Sequence, residues 1–86
     1  MKNRFFDLTS SEDKKAYIPA SRLLRIATFP REGIVTLFFE DFQADIQATK
    51  DAEAEVAKSL YEYVTADLED HIRLSPKSSN VLAIHF

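Results

Sequence analysis

The chain has two histidines, His71 and His85. Asp67 lies four residues before His71, and on a helix that spacing brings two side chains together on one face. Adding Asp70 or His85 would give a set able to ligate a metal. No HExxH-type spacing accompanies it, and pairing at a helix end is the simpler use of such residues. Ser75, His71 and Asp67 also make a nucleophile, base and acid on paper. Nothing places Ser75 on a strained elbow beside oxyanion donors. Glu40, Asp41 and Asp45 cluster near a turn, and acid–base work would need one of them desolvated. The single Gly leaves no Gly-rich phosphate loop. These residues point to a non-enzymatic chain, with no catalytic residue, cofactor or metal assigned.

Charge is unevenly placed. Residues 1–31 hold seven Lys+Arg against three acids, a balance of +4, and residues 32–86 hold four against eleven, a balance of −7. The basic part also carries Phe5, Phe6, Tyr17 and Phe29. Basic residues among aromatics can hold single-stranded nucleic acid by phosphate contact and base stacking. Arg4, Lys15, Arg22, Arg25 and Arg31 are the candidate contacts. No RNP or KH-like motif joins them. The uneven charge equally permits self-association or docking on a charged partner.

The elements that position these residues follow from composition and pattern. The chain has 86 residues, net charge −3, 45% hydrophobic residues, no Cys and three Pro. That length implies one domain, residues 1–86, with a small core and no disulfide staple. No apolar run reaches the ~20 residues of a membrane span. The opening MKNRFFDLTSSEDKK lacks the apolar stretch of a secretory signal, so a cytoplasmic location is expected.

Residues 3–8 and 15–18 read as a hairpin around a polar turn. Pro19 closes the second strand and residues 19–22 make one helical turn. Leu23 to Phe29 is a strand, with Leu24, Ile26 and Thr28 on one face and Leu23, Arg25, Ala27 and Phe29 on the other. Pro30-Arg31-Glu32-Gly33 is a turn with a left-handed exit at the Gly. Ile34 to Phe39 is almost wholly apolar, the pattern of a strand covered on both faces. Phe42, Ala44, Ile46 and Ala48 then alternate with Gln43, Asp45 and Gln47, a strand with one wet face.

Val56, Leu60, Val64, Leu68 and Ile72 recur every four residues. This spacing predicts one amphipathic helix over about 51–72. Thr49 or Asp51 would cap its start, and His71 and Arg73 would complement its end. Tyr61 and Tyr63 read as one core and one boundary residue. The terminal run Val81 to Phe86 must pair with the sheet or with another chain.

The order of "IPASRLLRI", "GIVTLFF" and "ADIQATKDAEAEVAKSLYEYV" resembles the short flagellar FlbD-like proteins and small uncharacterised phage proteins. The resemblance covers about Arg4 to Val64 and rests on Ile18, Leu23, Ile26, Val35, Leu37, Ile46, Val56 and Leu60. These are core positions, so it speaks to fold. The chain departs from that pattern in its longer helix and its terminal strand. The resemblance implies a phage-encoded or accessory protein.

The expected fold is α+β: a mostly antiparallel sheet of four to five strands, one long C-terminal helix packed on it, and a short terminal strand. One helix covers one sheet face, and the large apolar side chains exceed what that face absorbs. A homodimer is therefore expected, with Phe38, Leu82, Ile84 and Phe86 as candidate interface. The functional reading is a protein-interaction module, with single-stranded nucleic acid as the alternative partner.

Overall fold

The computed structural model describes residues 4–66 and 71–86. Among them the order is β1 (Phe5–Thr9), β2 (Lys15–Pro19), a 3-10 turn (Ala20–Arg22), β3 (Leu23–Phe29), β4 (Ile34–Phe39), β5 (Gln43–Ala48), α1 (Glu53–Thr65), β6 (Ile72–Leu74) and β7 (Val81–His85). The fold is α+β, as expected. The expected single sheet is instead two: β2-β1-β6 and β3-β4-β5-β7. Pairing is antiparallel except between β1 and β6, which run parallel.

The hairpin β1–β2 forms around the polar turn where the sequence predicts it. Ser10 holds its turn, its hydroxyl accepting the amides of Glu12 and Lys14 at 3.2 and 3.0 Å. Gly33 adopts φ +66°, the left-handed conformation that the turn before β4 requires. In β5 the even positions Ala44, Ile46 and Ala48 are buried, while Gln43, Asp45 and Gln47 face outward.

The helix departs from expectation. It spans 13 residues, Glu53–Thr65, and lies before two further strands rather than at the C-terminal end. Ala52, not Thr49 or Asp51, occupies the N-cap, without a side-chain cap bond. Val56 and Leu60 are buried, but Ile72 belongs to β6, opposite Phe6 of β1. Leu68 lies outside the described residues. Tyr61 and Tyr63 are both exposed, so neither is a core residue.

The inner faces of both sheets close one core. Phe6 and Leu8 of β1 meet Leu37, Phe39 and Ile46 of the larger sheet, and Phe6 stands edge-on to Phe39 at 5.3 Å. The helix packs on β3, β4 and β5. The outer faces of the two sheets therefore point away from each other. The second sheet absorbs much of the apolar surplus that the sequence assigns to an interface.

Each edge strand of the larger sheet is bulged once. On β3, Leu23 opposes Phe39 and Arg25 opposes Phe38, leaving Leu24 as the extra residue. This breaks the strict alternation read from the sequence: Leu23 joins Ile26 against the core, and Leu24 is 65% exposed. On β7, Val81 opposes Ala48 and Ala83 opposes Gln47, leaving Leu82 extra and 59% exposed. Bulges of this kind blunt strand edges against pairing with a neighbour.

Candidate functional site

The outer face of the β3-β4-β5-β7 sheet is built from register. Ala27 and Phe29 of β3 oppose Thr36 and Ile34 of β4, while Asp45 and Gln47 of β5 oppose Thr36 and Ile34 from the other side. Arg25 opposes Phe38 and lays its guanidinium over the Phe38 ring, 4.2 Å from the centroid. His85 of β7 lies opposite Asp45.

Four polar side chains of this face, Thr36, Asp45, Gln43 and Gln47, are hydrogen-bonded within the chain. Thr36, though buried, donates its hydroxyl to Asp45 Oδ1 at 2.8 Å. Gln43 donates to the same oxygen at 3.4 Å. Gln47 donates its amide to the Glu32 carbonyl at 3.0 Å and stitches β5 to the turn. Beside these bonds lie apolar side chains, with the exposed Glu32 carboxylate at their edge. Phe29, 43% exposed, Ile34 and Phe38 border a shallow depression of about 280 Å³.

A second concavity, about 580 Å³, runs between β3 and α1. Leu24, Ile26, Ala57, Tyr61 and Val64 line it, together with Arg25 and Lys58.

The residues singled out from sequence fall into several places. Of the interface candidates, Phe38 lies on the outer sheet face and Leu82 on the β7 bulge. Phe86 is half-buried against Phe42, with ring centroids 5.2 Å apart. Ile84 is wholly buried opposite Ile46, so it cannot touch a partner; β7 pairs within the chain. Ser11 also covers the outer edge of β7. Its amide donates to the Ile84 carbonyl at 2.9 Å, and its hydroxyl accepts the Ile84 amide at 3.0 Å.

The five nucleic-acid candidates do not share one surface. Arg4 is buried and donates to the carbonyls of Tyr63 and Ala66 at the end of α1. It supplies the cation that the sequence reading drew from His71 and Arg73, since the last turn of the helix has no basic residue of its own. Lys15 is on β2 of the smaller sheet, Arg22 in the 3-10 turn, Arg25 on the outer face of the larger sheet and Arg31 in the β3–β4 turn.

His71 stands just before β6 and bonds Tyr17, while His85 is on β7 in the other sheet. Asp67 and Asp70 lie outside the described residues. Among the described residues no three His, Cys, Asp or Glu side chains converge to hold a metal. No helix among them is long and apolar enough to cross a membrane.

Sequence reading missed the Phe29–Ile34 pair and the Thr36–Asp45 bond. The alternation of 43–48 marks Asp45 as outward, but its Thr36 partner follows only from strand register. No family model, curated protein or solved structure matches the chain.

Proposed function

We propose that the chain is a non-enzymatic protein-interaction module that works as a homodimer, two copies meeting through the outer face of the β3-β4-β5-β7 sheet. The observation that supports this reading is the depression bordered by Phe29, Ile34 and Phe38, set beside the hydrogen-bonded Thr36, Asp45 and Gln43 and with Glu32 at its rim. An apolar centre with a polar, solvent-accessible rim is the anatomy of a protein interface.

A second copy fits the face by charge. A two-fold axis running along β4 lays β3 of one copy over β5 of the other. Arg25 then faces the strand bearing the partner's Asp45, and the same contact recurs on the other side of the axis. The bulges at Leu24 and Leu82, and the Ser11 cover on β7, disfavour pairing by the edges of this sheet and favour its face instead.

Sedimentation velocity over a range of concentrations tests this. The dimer should dissociate on dilution, and Phe29→Glu should give a monomer with unchanged secondary structure. Arg25→Gln and Asp45→Asn should each weaken the dimer; the asparagine keeps an acceptor for Thr36. A wild-type chain that stays monomeric throughout refutes the reading.

A further inference from the structure

The outer face of the β2-β1-β6 sheet presents a second and different surface. Phe6, Leu8, Ile72 and Leu74 point into the core, so Phe5, Asp7, Thr9 and Arg73 point out. Lys15 and Tyr17 join them from β2, opposite Thr9 and Asp7. The rings of Phe5 and Tyr17 stack 4.8 Å apart at an interplanar angle of 3°. His71 stands edge-on to both at 5.5 Å, and its Nε2 lies 3.0 Å from the Tyr17 hydroxyl.

These rings are not needed to close the core, which Phe6 and Leu8 fill from beneath. Tyr17 is 57% exposed. The Arg73 side chain is 79% exposed and touches Asp7 only at 3.9 Å, a loose pair that solvent screens. A parallel ring stack, held edge-on by an imidazole, thus sits on a sheet with Lys15 on one outer strand and Arg73 on the other.

We propose that this face binds single-stranded nucleic acid, a base extending the Phe5–Tyr17 stack while Lys15 and Arg73 contact the flanking phosphates. Stacking on exposed rings is indifferent to base identity, so binding is sequence-tolerant. A duplex is disfavoured, because its bases are already stacked and unavailable to the rings. Asp7 opposes the phosphates and competes for Arg73. The surface is separate from the proposed dimer face, which belongs to the other sheet, and it uses Lys15 alone of the five basic residues singled out from sequence.

Fluorescence anisotropy of a labelled oligothymidine with the full chain, in low and in raised salt, tests the proposal. Binding should weaken with salt at a log–log slope of about −1.4, the value for two phosphate contacts. Tyr17→Ala should lower affinity roughly tenfold, and Tyr17→Phe, which keeps the ring, should restore it. Arg73→Gln, which leaves the rings untouched, should reduce the slope to about −0.7. Asp7→Asn should tighten binding, and Phe29→Glu on the opposite face should leave it unchanged. Absence of binding in low salt overturns the proposal. So does affinity equal in wild type and Tyr17→Ala, or capture of an aromatic peptide on this face with no affinity for the oligonucleotide.

Discussion

The two outer sheet faces use aromatic residues in opposite ways. On the four-stranded sheet, Phe29, Ile34 and Phe38 border a hollow, and the Phe38 ring is occupied by Arg25 from its own chain. Asp45 accepts from Thr36 on the neighbouring strand, and Gln47 donates to the turn before β4. On the three-stranded sheet, Phe5 and Tyr17 stand as a stacked pair, and the nearby cations are barely engaged. A polar group that is already hydrogen-bonded loses little when another surface excludes water from it. A face with loosely held cations, an exposed Tyr17 ring and a half-buried Phe5 ring stacked on it is better suited to a charged, planar ligand. Apolar content alone does not separate these cases; the difference lies in whether the rings border a hollow or stand as a stacked pair beside loosely held cations.

The comparison breaks most completely if the shared core is removed. Ile46→Ala, at a wholly buried position of β5 opposite Ile84, should cost about 2–5 kcal/mol in urea denaturation and weaken both faces together. If only one face responded, the two sheets would not share one core. Arg4→Ala should cost about 1.5–3 kcal/mol, since it leaves carbonyls at the end of α1 without their charged donor. Chemical denaturation reads this, and Arg4→Lys should recover part of the loss. Gly33→Ala should cost about 1–2 kcal/mol through its left-handed backbone. The added Cβ would also approach Gln47 Nε2 to 3.2 Å. Thermal melting measures the loss, and the effect on self-association should exceed that on oligonucleotide binding, because Gly33 leads into β4. Thr36→Val should cost about 1 kcal/mol by removing the donor to Asp45.

Local signals in the sequence carried much of this architecture. The limits of β3 and β4, the Gly33 turn and the alternation of β5 depend on neighbours in the chain and were legible there. What depends on distant partners was not. Ile72 continues the four-residue spacing of Val56, Leu60 and Val64, yet it pairs with Phe6 in a parallel strand of three residues. No local pattern announces such a pairing. A bulge shifts register by one residue without changing composition, so Leu24 and Leu23 exchange the faces expected of them. Ile84 reads as surplus apolar surface when one sheet is assumed, and becomes core once a second sheet supplies Phe6, Leu8 and Leu74. Arg4 shows the same limit for charge: its partners are the carbonyls of Tyr63 and Ala66, invisible from sequence spacing. Of the interface face, Phe38 was legible, whereas Phe29 and Ile34 required the β3–β4 register.

The central claim is that the face bearing Phe29, Ile34 and Phe38 joins two copies. Sedimentation velocity of wild type, Phe29→Glu and Tyr17→Ala across the same concentrations tests it most directly. The wild type and Tyr17→Ala should sediment as dimers that dissociate on dilution, and Phe29→Glu as a folded monomer. A wild type that is monomeric at every concentration, or a Phe29→Glu variant as dimeric as the wild type, would contradict it.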